Sequence, residues 1–323
     1  MKTSDKIIRY IKEGGGVSPK QLSDYLEITP RAVFKHLRRL LADGKVSKIG
    51  TPPKVFYNFV EKVKDEKDYQ ISNSIKNLIE KRFIEIKPIG EIEEGWSAFA
   101  NWCEKRGLDV LKSAEDYANI IKKYDAIRKD GLLDGMGKMK KTFSEVYLDY
   151  LFYLDFYSIE RFGKTKLGKT LLYAKQSQNK MMIRGLAKEI KPNIKNLIKK
   201  YKIDAVGFIP PTVKREVQLM KELENGLDLQ ISKINITKIK TSVVVPQKTL
   251  SKLDDRIENA KATFIVGKKA FYKNVLLIDD AVGSGATFNE IASQIKKKGV
   301  ASGKVIGIAI TGSMKGFDVI SEV

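Results

Sequence analysis

Val275-Leu-Leu-Ile-Asp-Asp-Ala-Val-Gly-Ser-Gly-Ala-Thr-Phe288 is the stretch whose reading decides the fold of this chain. Four apolar residues of strand character end in two acids, and a small glycine-rich turn leads into helical spacing near Thr287. In an open parallel sheet a ligand binds beyond the carboxyl ends of the strands, which is where Asp279 and Asp280 fall. The turn Ala281, Val282, Gly283, Ser284, Gly285, Ala286, Thr287 runs into a helix N-terminus, whose N–H groups and positive dipole end attract phosphate. Gly283 and Gly285 free the backbone to curl into a nest of donors, and Ser284 and Thr287 add hydroxyls. The two carboxylates can accept hydrogen bonds from sugar hydroxyls. One short segment therefore has the chemistry to grip a phosphate and a diol together.

The surroundings alternate in the manner of an α/β sheet. Helical spacing covers Pro192–Lys202 and Val217–Leu227, and Asn289–Lys298 follows the glycine-rich turn. Apolar strands are predicted at Ala205–Ile209, Ile231–Ile236, Thr241–Val245, Val275–Ile278 and Lys304–Ile310. Alternating apolar strands and helices imply a parallel sheet covered on both faces. The aromatic residues between Phe143 and Tyr157 read as core. Residues 61–145 are mixed in charge, with helices expected at Lys67–Lys81 and Ser97–Lys105, and read as a connecting or dimerising region.

The Val275–Phe288 segment resembles the PRPP-binding motif of type I phosphoribosyltransferases: an apolar strand, two acids, a small-residue loop and a threonine. The likeness extends over about residues 170–323. Tyr173-Ala-Lys175, Gly207-Phe-Ile-Pro-Pro211 with Lys214 and Arg215, and Leu253-Asp-Asp-Arg-Ile-Glu-Asn259 look like successive blocks of the ComF family. The resemblance implies a type I phosphoribosyltransferase fold in 146–323 and a phosphoribosyl pyrophosphate (PRPP) or nucleotide ligand with Mg²⁺ carried by PRPP. It makes Pro211, Thr212, Lys214 and Arg215 the pyrophosphate loop, and Gln247–Asn259 a mobile cover with Arg256 as a clamp. Two departures matter. Gly283 stands where purine-salvage members carry an acid, so purine salvage is not expected. The four-cysteine zinc element of many ComF proteins is missing.

Residues 1–60 read as three helices and a hairpin. Ser4 is expected to cap the first helix, which Gly14-Gly-Gly ends. Ser18-Pro-Lys-Gln21 has the form of a capping box, and Thr29-Pro30 starts a third helix that runs to about Ala42. On a helical wheel Val33, Phe34, Leu37, Leu40 and Leu41 share one arc, while Arg31, Lys35, Arg38 and Arg39 cluster opposite. Short strands Val46–Ile49 and Val55–Phe59 follow, with Lys48 and Lys54 on the hairpin. Twelve Lys/Arg stand against five Asp/Glu here. The segment resembles a winged helix-turn-helix, which implies helix contacts by Arg31, Lys35, Arg38 and Arg39 and phosphate contacts by Lys48 and Lys54.

Composition sets the outer bounds. A formal charge of +21 over 323 residues favours polyanionic partners, nucleic acid first. No apolar run reaches the roughly 18 residues of a membrane span, and no secretory stretch opens the chain, so a cytoplasmic protein is expected. Cys103 reads as a packed core thiol, and one Cys with one His, His36, provides no metal set of its own.

Three functions fit. The first is a PRPP- or nucleotide-responsive regulator that binds duplex DNA, as a homodimer matched to a two-fold operator. The second is an active phosphoribosyltransferase that releases pyrophosphate from PRPP. The third is a ComF-like accessory protein that handles DNA or acts in defence, with single-stranded DNA as its partner.

Overall fold

Local signals at the N-terminus lead to the structure directly. The computed structural model describes residues 2–60, 69–239, 245–267 and 270–313. The chain forms two compact units, Met1–Ile71 with Ile86–Glu93, and Ser72–Glu85 with Glu94–Val323.

In the first unit, α1 (Thr3–Gly14), α2 (Pro19–Leu26) and α3 (Pro30–Ala42) precede a hairpin of β1 (Val46–Thr51) and β2 (Lys54–Phe59). The capping box forms as the sequence requires: Ser18 Oγ accepts from the Gln21 amide, and Gln21 Oε1 accepts from the Ser18 amide at 2.9 Å. Thr29 Oγ1 accepts from the Ala32 amide, with Pro30 at the first helical position. Ser4 does not cap α1. The helix starts two residues earlier, with Lys2 at the N-cap, and Ser4 Oγ instead meets His36 Nδ1 at 3.1 Å. Ile7, Ile11, Leu22, Val33, Leu37, Leu40, Val46 and Tyr57 form a single core. Two bonds between the Val17 and Tyr57 backbones tie the segment after α1 to β2.

The chain continues with α4 (Asn73–Arg82), then β3 (Ile84–Ile86) and β4 (Ile92–Glu94), which are divided between the two units, and the second unit goes on with α5 (Gly95–Glu104), α6 (Val110–Asp125), β5 (Leu133–Asp134) and α7 (Met136–Thr142). Next are β6 (Tyr150–Phe156), β7 (Ser158–Ile159), β8 (Gly163–Lys164), α8 (Lys166–Ser177), α9 (Lys180–Tyr201), β9 (Ala205–Phe208), α10 (Leu219–Leu227), β10 (Ser232–Lys233) and β11 (Ile236–Lys238). The last are α11 (Leu253–Thr263), β12 (Phe264–Val266), β13 (Val275–Val282), α12 (Ala286–Lys297) and β14 (Val305–Gly312). The strand expected at Thr241–Val245 falls almost wholly outside the described residues.

Six strands make one sheet in the order β10-β9-β13-β14-β6-β5, parallel except for β5. Strand alternation sorts the side chains. Val206, Leu276, Ile278, Ile306, Ile308 and Ile310 pack against α8, α9 and α10. The opposite face takes α12, where the Phe288 ring abuts Gly307 of β14. Residues 94–145, read as a connecting region, pack within this unit. Phe99, Trp102 and Tyr117 cluster around Phe162, and Tyr124 lies 4.9 Å from the Phe156 ring. Tyr153, Phe156 and Tyr157 are buried, as core aromatics should be, and so is Cys103, whose thiol burial pushes up to about 11.

One helix is longer than its sequence suggested. Pro192 was expected at a helix start but lies inside the 22-residue α9. Its ring removes the hydrogen bond to the Lys188 carbonyl, and Pro192 is on the exposed side, where water can satisfy that group.

Candidate functional site

The sheet creates a cleft by unequal strand lengths. β9 pairs with β13 only as far as Phe208 opposite Ile278, whereas β13 continues against β14 to Val282 opposite Gly312. The acids therefore lie within the strand rather than after it, and the turn proper shrinks to Gly283–Gly285. After β9 the chain goes to β10 on one side, and after β13 it goes to β14 on the other. That reversal is the switch point at which open α/β sheets bind ligands.

A cavity of about 250 Å³ fills this position. Every residue from Asp279 to Thr287 lines it, with Pro211, Thr212, Arg215, Lys175 and Arg256. Lys214 lines an adjoining cavity of about 490 Å³ that shares Ile209–Thr212 as a wall.

Alternation along β13 sends the two acids opposite ways. Asp280 turns toward α8, where Lys175 Nζ donates to its Oδ2 at 2.6 Å. Arg215 Nη1 donates to the Lys175 carbonyl at 2.6 Å, so this candidate also pins the loop after β9 to α8. Asp279 turns the other way, toward Lys238 of β11. Burial and the neighbouring Asp280 charge push the Asp279 carboxyl well above the usual carboxylate range. Lys238 donates to Thr212 Oγ1 at 2.8 Å and lies over the Phe264 ring, and burial lowers its ammonium to about 8. Sequence reasoning missed Lys238. A charged residue at the end of a short apolar strand was the only signal.

Gly285 is the N-cap of α12, with φ of 85°, and it offers no side chain to the first-turn amides. A Cβ there would collide with Met139 Sδ, because the segment around α7 forms the floor of the turn. Asn289 fastens that floor: its Oδ1 accepts from the Tyr147 amide and its Nδ2 donates to the Glu145 carbonyl, both at 2.8 Å. Gly283 has no such requirement. Its φ is negative, and an added Cβ would sit 3.6 Å from Arg256 Nη1. Ser284 Oγ accepts from the Ala286 amide, so one amide of the turn is used internally.

Arg256 is 4% exposed. Its Nε donates to the Leu250 carbonyl at 2.7 Å, whereas its Nη2 is buried without a hydrogen-bond partner. The expected cover Gln247–Asn259 is a 3₁₀ turn followed by the start of α11. Gln247 Nε2 closes it onto the Arg256 carbonyl at 2.9 Å. Among the described residues no group of three His, Cys, Asp or Glu side chains could hold a metal ion.

The first unit carries a second candidate surface. On α3, Val33, Leu37 and Leu40 are buried and Leu41 is half-buried. Arg31, Lys35, Arg38 and Arg39 are exposed, as are Lys48 and Lys54 on the hairpin. Phe34 departs from its expected packing role. It sits at the edge of the apolar arc, no neighbouring element covers it, and it remains 43% exposed beside the cations.

Residues 2–47 match the family described as winged helix-turn-helix DNA-binding, so the N-terminal unit contains such a domain. No curated protein matches the chain. Among the described residues, no helix is long and apolar enough to cross a membrane.

Proposed function

We propose that this chain is a DNA-binding regulator whose C-terminal cavity takes PRPP or a nucleotide. Arg256 carries the reading. A buried guanidinium with an unpartnered Nη2 is costly to maintain. It borders the same cavity as the uncapped N-terminus of α12, so two groups that favour an anion face one space. Asp279 and Asp280 in the lining supply acceptors for ribose hydroxyls, with Thr287 and Ser284 beside them. Pro211, Thr212 and Arg215 complete the wall for a pyrophosphate, with Lys214 in the adjoining cavity. Among the described residues the cavity offers two carboxylates and no group of three metal-ligating side chains, so Mg²⁺ would arrive on the ligand's phosphates. On this reading a phosphoribosyltransferase-type domain and a winged helix share one chain, which acts as a homodimer on a two-fold operator.

Calorimetry with Mg-PRPP and with nucleoside monophosphates tests this, using wild type and Asp279→Asn/Asp280→Asn. Wild type should release or absorb heat and the variant should not. PRPP should shift duplex affinity about 5–150-fold, the usual range of allosteric coupling. Absence of heat and of any thermal shift with all these ligands would retire the site assignment. Steady pyrophosphate release with an acceptor would make the domain a working transferase instead.

A further inference from the structure

The long helix α9 has two sharply different faces. Ile183, Leu186, Ala187, Ile190, Ile194 and Leu197 are buried in the core. On the flank next to them Lys180, Arg184, Lys188, Lys191, Lys195 and Lys199 fall within about 100° of arc, and Lys202 at the C-cap continues the line. All are exposed except Lys191, which is half-buried. The stripe is about 30 Å long at 1.5 Å per residue.

No acid interrupts it. Glu189 is the only acid of α9 and lies on the other flank. Lys180 has Glu222 at 3.9 Å, and among the described residues no carboxylate pairs with Arg184, Lys188, Lys191, Lys195 or Lys199. Like charges four apart on a helix repel by a few tenths of a kcal/mol per pair, and Lys180–Arg184, Arg184–Lys188, Lys191–Lys195 and Lys195–Lys199 are such pairs. Lys180 also opens the helix, at the positive end of its dipole. A regular single-signed row of this length is complementary to a linear polyanion rather than to a small ligand.

We propose that this face of α9 grips the phosphate backbone of the duplex DNA that the winged-helix domain holds. Flexible lysines without interleaved aromatic rings suit phosphates, and they suit neither base edges nor stacked single strands. A membrane-surface helix turns its apolar side to lipid, but the apolar side of α9 is buried in the core. A DNA-binding domain on the same chain supplies duplex at high effective concentration. The stripe therefore adds sequence-independent affinity. The proposal rests on the DNA-binding domain and is independent of the sugar-phosphate cavity.

The test uses the full chain and a mixed-sequence duplex, with affinity measured between about 50 and 200 mM salt. Lys188→Gln/Lys195→Gln/Lys199→Gln removes three exposed cations without disturbing the core. Its log-affinity versus log-salt slope should fall by about 2–3, with binding at least about tenfold weaker at low salt. Lys112→Gln/Lys122→Gln/Lys123→Gln removes the same net charge from α6 and should leave the slope unchanged. An unchanged slope in the α9 variant, or an equal fall in both variants, overturns the proposal. So does loss of binding to phosphatidylserine vesicles with DNA binding intact. Arg38→Ala/Arg39→Ala reports separately on the winged helix: if that variant binds as wild type does, the assigned recognition face is at fault, not α9.

Discussion

Lys175 reaches from α8 to the Asp280 carboxylate at 2.6 Å, and its charge also favours the ionised form of the adjacent Asp279. Two neighbouring acids thus depend on one lysine of α8, while burial outweighs the Asp279 charge at Lys238 of β11. Each arm of this arrangement can be removed separately.

Lys175→Met should lower the melting temperature by a few degrees, since it leaves two adjacent carboxylates with less compensation. The effect is moderated by solvent, because the lysine side chain is about one third exposed. Lys175→Met/Asp280→Asn should recover most of the loss. A full double-mutant cycle by thermal melting reads the coupling, and additive losses would mean that the two side chains are energetically independent.

Gly285→Ala should destabilise the second unit by more than about 1 kcal/mol, because a positive φ and the Met139 sulfur both oppose a Cβ. Gly283→Ala should be far milder, since its Cβ makes only an ordinary contact with Arg256. Denaturant titration of the pair checks the contrast, and equal losses would contradict the geometry described for the turn.

Lys238 should make stability depend on pH. The unfolded chain keeps this proton up to the ordinary lysine range near about 10.4, whereas the folded chain gives it up above about 8. Between those values the unfolded state binds more protons, so stability rises with pH, and it is lost as pH falls through about 8. Lys238→Met should therefore melt higher than wild type at pH 7, with the difference shrinking toward pH 10. An anion bound beside Lys238 should draw in a proton near pH 8–9, visible as a buffer-dependent heat that the variant lacks.

On α3, Leu37→Ala should cost about 2–5 kcal/mol of stability, because it hollows the core of the small domain. Phe34→Ala should leave the melt almost unchanged and weaken duplex binding, since the ring is exposed among the cations. Arg38→Ala/Arg39→Ala should weaken binding and lower the salt slope by about 2. Melting curves beside binding isotherms separate these outcomes.

How much of this was legible in the chain depends on the range of the forces involved. The Ser18–Gln21 box and the Thr29–Pro30 start act over three residues and can be read from sequence directly. The apolar run before Asp279 marked a buried parallel strand, but its extension to Val282 depends on Thr311 and Gly312, about thirty residues away. Phe34 was misplaced because a wheel gives an angle and not the neighbour that would cover it. Pro192 was misread because proline often starts helices, and here solvent tolerates it mid-helix. Arg256 was a candidate through the resemblance, but its burial, like that of Lys238, is a property of other segments packed around it.

The early end of β9 has a consequence for how the site could be altered. From Asp279 to Val282 one side of β13 pairs with no strand among the described residues, so the hollow is made by chain register more than by the size of its side chains. Substitutions around the rim would retune chemistry while preserving the opening. Three or four extra residues of β-forming sequence after Phe208 would pair with that bare length of backbone and seal the hollow.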